Sequence, residues 1–147
     1  MKLMSLLAIL VISTSAMSSE LLLRYRTGSG FSPVPRSSSI QITDDGKVTL
    51  LETERKLSKK TEIATLTESS LENLKAKIET IDNSTTLIDI DASKPRCMDA
   101  PTSSLIVAKG GLEVEIYAKR SCHRYFAKDA EVDKLVNLVF SFQYLTF

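Results

Sequence analysis

The sequence predicts an α+β domain, a mostly antiparallel twisted sheet of four to six strands with two helices packed on one face. Short runs that alternate apolar and polar residues flank glycine-containing turns, as the strands of hairpins do. Two further segments repeat apolar residues at helical spacing, and Thr67 is placed to cap the first of them. The repeated apolar residues are Leu71, Leu74, Ile78 and Ile81 in the first segment and Val132, Leu135, Val136 and Val139 in the second.

The N-terminal residues have the three parts of an export signal. Lys2 gives a short basic start, an apolar run covers Leu3–Ile12, and small residues follow at positions 13–16. About ten apolar residues are too few to span a bilayer, which takes roughly 20. We therefore predict a signal peptide at residues 1–16, a single domain at residues 17–147, and a periplasmic or secreted protein with no membrane span after cleavage.

Charge argues against a nucleic-acid partner. The chain has 19 Lys and Arg against 18 Asp and Glu, and cleavage would remove Lys2 to leave 18 of each. A neutral chain without a concentrated basic stripe lacks the electrostatic footprint of a nucleic-acid-binding protein. Glu54–Lys60 is rich in charge, and we interpret it as a solvated turn in preference to a basic patch for an acidic partner.

The first predicted hairpin turns at Asp44–Gly46. A three-residue loop with Gly46 in the left-handed region pairs Ile42 with Val48. The same register pairs Ile40 with Leu50, so that the apolar side chains of both strands share one face. A two-residue Asp-Gly turn would mix the two faces, and we therefore predict the three-residue loop.

The second predicted hairpin turns at Gly110 and Gly111, which tolerate the positive φ of a two-residue loop. Pairing across these glycines places four apolar residues on one face, and the alternation fixes the register. The predicted opposed pairs are Val107 with Val114 and Leu105 with Ile116, and the residues of the other face are Glu113, Glu115 and Tyr117.

Cys97 and Cys122 lie at the open end of this second hairpin, nearly opposite each other in the predicted register. Two cysteines in an exported chain favour one disulfide over two free thiols. We therefore predict a Cys97–Cys122 bond. Closing a loop of about 26 residues would contribute roughly 3 kcal/mol on the chain-entropy account.

Residue types that carry chemistry are few. His123 is the sole histidine and stands beside Cys122, so in a strand the two side chains would point to opposite faces. A catalytic Cys–His pair, or a zinc site that adds Cys97, is less favoured than the disulfide. Three aspartates in the long connection before the second hairpin are interpreted as solvated acids in preference to calcium ligands. These are Asp89, Asp91 and Asp99. We predict no enzyme, no cofactor and no metal.

The stretch from Arg24 to Arg36, RYRTGSGFSPVPR, holds the predicted binding surface. Its two glycines free the backbone, and its two prolines then restrict it to extended conformations. A stiff loop on a disulfide-linked scaffold loses little entropy when a partner binds. An ordinary crossover loop between strands is the alternative. The predicted partner-binding residues are Gly28, Gly30, Phe31 and Arg36.

This stretch, followed by strands, a capped helix, a hairpin and a final helix, resembles the emfourin-type inhibitors of thermolysin-like metallopeptidases. Those small proteins carry a Gly-Gly-Phe…Arg opening after their first strand. Gly28, Gly30, Phe31 and Arg36 match that opening, with Ser29 between the two glycines. The resemblance implies a small exported binding protein that inhibits a secreted metallopeptidase through the Gly28–Arg36 loop.

The chain is also similar to a family of exported bacterial proteins of unknown function. The shared features are an arginine-rich opening, an Asp-Gly hairpin and a later Cys-x-Asp-Ala-Pro segment, here Cys97–Pro101. This second similarity leaves open another function, a non-catalytic envelope interaction or structural protein. Both interpretations expect a protein as the partner.

Overall fold

The computed structural model describes residues 19–30, 33–128 and 132–143, without the side chains of Phe142 and Gln143. The predicted signal peptide lies outside these ranges. The described elements in chain order are β1 (Leu21–Gly28), β2 (Arg36–Thr43), β3 (Lys47–Glu54), β4 (Leu57–Thr65), α1 (Glu68–Thr80), β5 (Leu87–Asp89), β6 (Thr102–Lys109), β7 (Leu112–Arg120), β8 (His123–Ala127) and α2 (Val132–Gln143). No helix within these ranges combines the length and the apolar character needed to cross a membrane.

The described strands form one sheet in the order β4-β3-β2-β1-β6-β7-β8-β5, and every neighbouring pair is antiparallel. The predicted antiparallel sheet with two helices is thus confirmed. The predicted number of four to six strands is wrong, because the sheet has eight.

The first missed feature is the start of β4. Glu54–Lys60 is not a solvated turn: only Arg55 and Lys56 turn the chain, and β4 already begins at Leu57. As an edge strand, β4 is exposed over most of its length and needs no apolar alternation. The second missed feature is β8, which follows a turn at Ser121 and Cys122. Both of these residues have positive φ, at 49° and 67°, in a turn that contains no glycine.

The two predicted hairpins differ in how well their registers were predicted. The first is confirmed: Gly46 has φ 82°, and Ile42 and Ile40 lie opposite Val48 and Leu50. In the second, Val107 lies opposite Val114 as predicted, but the register shifts between Leu105 and Ile106.

This register shift places Leu105 opposite Tyr117 and not Ile116, so that predicted pair is wrong. The predicted outward position of Tyr117 is wrong as well. Its side chain is 4% exposed and packs edge-on against Phe126 with 5.0 Å between ring centroids. A bulge adds one residue to one strand only, and that changes the pairing beyond it.

Both helices contribute to one buried cluster together with the central strands. In α1, the Thr67 hydroxyl accepts the Ser70 N–H at 3.3 Å, as expected of the predicted cap. Tyr25 of β1 and Phe140 of α2 meet edge to face at 5.5 Å. The cluster includes Leu23, Ile40, Ile42, Val48, Leu105, Val107 and Ile116 from strands and Leu74, Ile78, Val132, Leu135 and Val139 from helices.

The predicted disulfide is present, with 5.7 Å between the Cα atoms of Cys97 and Cys122. The Cys97 N–H also donates to the Ser121 carbonyl at 3.1 Å. Because β1 ends, β2 begins and β6 begins at the same end of the sheet, the disulfide lies at the end that carries the Gly28–Arg36 loop. We call this the loop end of the sheet.

Candidate functional site

The face of the sheet that bears Tyr25, Ile40 and Leu50, here the core face, changes character toward the loop end. Tyr25 lies opposite Ile40, and two residues further along Thr27 lies opposite Ser38. The hydroxyl oxygens of this second pair are 2.7 Å apart. Because side chains two residues apart share a face, the buried apolar surface continues directly into a polar one.

The polar end of the core face forms an open groove of about 890 Å³. Four strands and the segment before β6 supply its walls. The residues that line the groove are Thr27, Gly28, Ser29, Arg36, Ser37, Ser38, Glu52, Thr53, Glu54, Arg55, Leu57, Ser58, Lys59 and Pro101. Its volume lies in the range of about 300–1,000 Å³ that is typical of ligand sites.

Arg36 and Glu54 form an ion pair across the groove wall. They lie opposite each other on β2 and β3, with 3.3 Å between the guanidinium nitrogen and the carboxylate oxygen. Their side chains are 67% and 53% exposed, so a partner can reach both groups. An exposed pair of this kind contributes at most about 1 kcal/mol to stability, and exchanging Glu54 for a partner's carboxylate would cost the fold little.

Hydrogen bonds donated by backbone N–H groups hold both ends of the Gly28–Arg36 loop. The Ser29 N–H donates to the Arg36 carbonyl at 2.9 Å, and the Arg36 N–H donates to the Ser29 hydroxyl at 3.2 Å. Beyond them, the Arg55 N–H donates to the Pro35 carbonyl at 3.1 Å. The loop is therefore a hairpin connection fixed at its base and tied to the turn between β3 and β4.

Gly30 packs against the backbone of Asp99 and Ala100. A Cβ atom at this position would collide with the Asp99 carbonyl oxygen and lie 3.0 Å from the Ala100 carbonyl carbon. Glycine is required here by close approach, since its φ does not lie in the left-handed region. The segment that it touches follows Cys97, so the disulfide supports the surface on which the loop rests.

The four predicted binding residues have different outcomes. Gly28 and Arg36 line the groove, and Gly30 fixes the loop against Asp99 without lining it. Phe31 lies outside the described residues, and its role stays a prediction. The structure thus brings the opening stretch next to the Cys97–Pro101 segment, two motifs that are far apart in sequence.

Sequence reasoning missed the wall that β3 and β4 contribute. Glu52 and Glu54 continue the alternation of Val48 and Leu50, but with charged side chains. Leu57 and Lys59 lie opposite them on β4. The signal was present in the sequence, because a core face that turns polar while its alternation continues indicates a surface that remains open.

A second polar cluster joins β8 to the connection after β5. The interpretation of Asp91 as a solvated acid is wrong, because its side chain is 3% exposed. It accepts hydrogen bonds from Arg124 Nε at 2.8 Å and Arg124 Nη2 at 3.0 Å. Lys94 Nζ adds a contact at 2.6 Å. The Arg124 guanidinium, followed by the Lys94 ammonium, holds the pKa of this carboxyl well below its usual range.

His123 belongs to the same cluster and is buried. Its Nδ1 lies 2.7 Å from an Asp89 carboxylate oxygen, and its Nε2 lies 3.0 Å from the Lys94 carbonyl. The hydrogen bond with His123 also lowers the pKa of Asp89. Both ring nitrogens are engaged within the fold, and Cys122 is in the disulfide, so this arrangement fixes the connection and presents no free nucleophile or base.

A scan against protein-family models finds no match for this chain, and a search of curated proteins finds none either. The resemblance to emfourin-type inhibitors therefore stays a prediction from the Arg24–Arg36 stretch.

Proposed function

We propose that this protein is an exported binding protein that holds a segment of a protein partner in the groove. The partner we propose is a secreted metallopeptidase, which the protein inhibits. The observation that carries the proposal is the open groove of about 890 Å³, lined mainly by polar and charged residues, beside a loop whose two ends are hydrogen-bonded in place. Clefts of this size bind ligands through a small number of well-placed polar groups.

Preorganisation supports binding through this end of the molecule. Two backbone–backbone hydrogen bonds and one to the Ser29 hydroxyl fix the loop base, Gly30 rests on Asp99, and the disulfide closes the hairpin behind them. A surface that is already ordered loses less conformational entropy on association, so more of the contact energy appears as affinity.

The chemistry of the groove suits a polypeptide segment. Arg36 offers a guanidinium that can bind a carboxylate in bidentate geometry, and Glu54 offers an acceptor for N–H groups. Leu57 is 80% exposed and adds an apolar contact at the same wall. Of these groups, arginine is the one most often found as an energetic centre of protein interfaces.

Two further parts of the proposal concern the packing of the helices and the location of the protein. We infer that α1 and α2 both pack on the core face away from the loop end, since both share one buried cluster with that face. We also place the protein in the periplasm or outside the cell, since such compartments preserve a structural disulfide.

The test begins with a pull-down from the exported fraction of the source cells, with the mature domain as bait. An enriched metallopeptidase is then assayed with increasing amounts of the domain, and a thermolysin-like peptidase serves as a second probe. Arg36→Ala should weaken inhibition roughly thirtyfold, which corresponds to the loss of about 2 kcal/mol. Its melting temperature should stay nearly unchanged, because the Arg36 side chain is mostly exposed.

The matched control is Lys75→Ala, which removes a partly exposed cation on α1 whose pair with Glu72 has 3.4 Å between its charged atoms. It should inhibit as the unaltered protein does. Enrichment of a wall or membrane component, with no inhibition of either peptidase, would contradict the inhibitor proposal. If that capture still required Arg36, the groove would remain the binding surface of an envelope interaction protein.

A further inference from the structure

The two edges of the sheet are built differently. At one edge β5 has three residues, whereas at the other edge β4 has nine and contains no proline. Residues 57–62 of β4 are all exposed, and Leu57 is 80% exposed. A long exposed edge presents backbone N–H and C=O groups that can pair with another extended chain.

The register identifies which backbone groups are free to pair. A two-residue turn at Arg55 and Lys56 joins Glu54 to Leu57, and the flanking residues of such a turn exchange hydrogen bonds. In an antiparallel ladder, alternate residues point their backbone groups at the neighbouring strand. Ser58 and Lys60 therefore direct their N–H and C=O groups away from β3, toward the open edge.

Charge at this edge differs from the balance of the whole chain. The segment 52–60 holds Arg55, Lys56, Lys59 and Lys60 against Glu52 and Glu54, and Arg36 lies opposite Glu54. Cations thus predominate where β4 meets the groove, although the chain is close to neutral. This local excess would attract an acidic segment and repel a basic one.

We infer that β4 pairs with an acidic, extended segment of the partner, which adds a strand to the eight-stranded sheet. The inference rests on the proposed function, since it takes the loop end as the binding surface. A second copy of this chain lacks the required acidic excess at this edge, because its β4 carries Lys59 and Lys60 against Glu62 alone. Alternate side chains of the added strand would lie over the groove beside Leu57 and Lys59.

The experiment measures fluorescence polarisation of a labelled peptide with the full mature domain. The peptide has nine residues, as β4 does, and alternates glutamate with threonine. A lysine–threonine peptide tests charge. An acidic peptide with alternate backbone nitrogens methylated tests strand pairing, because methylation removes its N–H donors and leaves its charge unchanged.

Protein variants test the same two features from the other side. Lys59→Glu combined with Lys60→Glu should weaken binding of the acidic peptide about tenfold. Its control replaces Lys75 on α1 and Lys128 after β8 with glutamate and should bind normally. Ser58→Pro removes an edge N–H while sparing the bonds to β3, and Ser58→Ala controls for the hydroxyl.

Binding of the acidic peptide that is lost with methylation, and weakened at least tenfold by Ser58→Pro but not by Ser58→Ala, supports the inference. No binding up to about 1 mM, or equal binding of the methylated peptide, overturns it. A dimer in sedimentation that Ser58→Pro dissociates would also overturn it, since the edge would then belong to a second copy. If Ser58→Pro fails to fold, the comparison of the acidic peptide with the methylated and lysine–threonine peptides still decides the question.

The two proposals can fail separately. A captured partner that requires Arg36, together with no peptide binding, removes strand addition and leaves the groove function. Peptide binding at β4, together with no captured partner that depends on Arg36, removes the proposed function and leaves the edge as an acidic-peptide site.

Discussion

Gly30 shows how a single residue positions the candidate site. Its missing side chain lets the loop lie directly on the Asp99–Ala100 backbone, a contact that even a methyl group would prevent. Gly28 is less constrained, because a Cβ there would meet the Thr102 hydroxyl at 3.0 Å, and a side chain can rotate away. The two glycines of the opening stretch therefore have unequal roles.

We predict that Gly30→Ala moves the loop and weakens partner binding at least tenfold, the equivalent of about 1.4 kcal/mol. Forcing a methyl group into close-packed backbone should also cost about 1–3 kcal/mol of stability. Urea unfolding and titration of the captured partner measure both quantities. Gly28→Ala is the comparison and should lose less stability. Equal losses in the two variants would show that close approach to Asp99 does not decide the conformation.

At the scale of elements, local chemistry determined what could be predicted. Gly46 in a three-residue turn fixes one hairpin, Thr67 caps α1, and Cys97 with Cys122 closes the other hairpin. Each of these signals acts over a few residues or through one covalent bond. The sequence therefore predicted these elements and the antiparallel class of the sheet.

The features that were missed depend on contacts that no local pattern records. The bulge at Ile116 of β7 shifts Tyr117 opposite Leu105, and the packing of Tyr117 on Phe126 departs from strict alternation. Half of the groove wall, on β3 and β4, is visible only once Glu54 is seen opposite Arg36. Gly28, Gly30 and Arg36 were predicted because glycine and proline mark an unusual loop, whereas Glu52 and Lys59 have ordinary surface composition.

Asp91 holds the connection after β5 to Arg124 of β8, and this contact makes the stability of the fold sensitive to acid. The pKa of the Asp91 carboxyl is lower in the folded than in the unfolded protein. The ionised carboxylate therefore stabilises the fold above about pH 4, which is the pKa of an aspartate in the unfolded chain. That stabilisation is lost as the pH falls below about 4 toward the folded pKa.

We predict that Asp91→Asn lowers the melting temperature at pH 7 and flattens its fall below about pH 4. Thermal melts from pH 7 to pH 2 measure both effects. Glu72→Gln, on the exposed side of α1, is the control for removing one carboxylate, and its melting temperature should follow the wild-type dependence. A parallel shift of the Asp91→Asn curve over the whole range would mean that Asp91 acts through packing and not through its charge.

At the scale of the molecule, the core face divides into two regions with different roles. The region around Tyr25, Ile42 and Val139 is buried with both helices, and the region around Arg36 and Glu54 is open and charged. The same strands run through both regions. A rigid, well-packed half can therefore hold the open half in place without contributing directly to contact with a partner.

This division predicts opposite effects for changes in the two regions. Leu135 of α2 is fully buried, so Leu135→Ala should lose about 2–5 kcal/mol of the free energy of unfolding, through lost burial and the cavity left behind. As long as the variant stays folded, its affinity for the partner should change less than threefold, or about 0.7 kcal/mol. Arg36→Ala should instead leave the free energy of unfolding nearly unchanged and weaken the affinity for the partner. Urea unfolding and partner titration of the two variants in one buffer make the comparison. If Leu135→Ala weakened binding as much as Arg36→Ala does, the packed region would be shaping the groove directly, and the core face would act as a single unit.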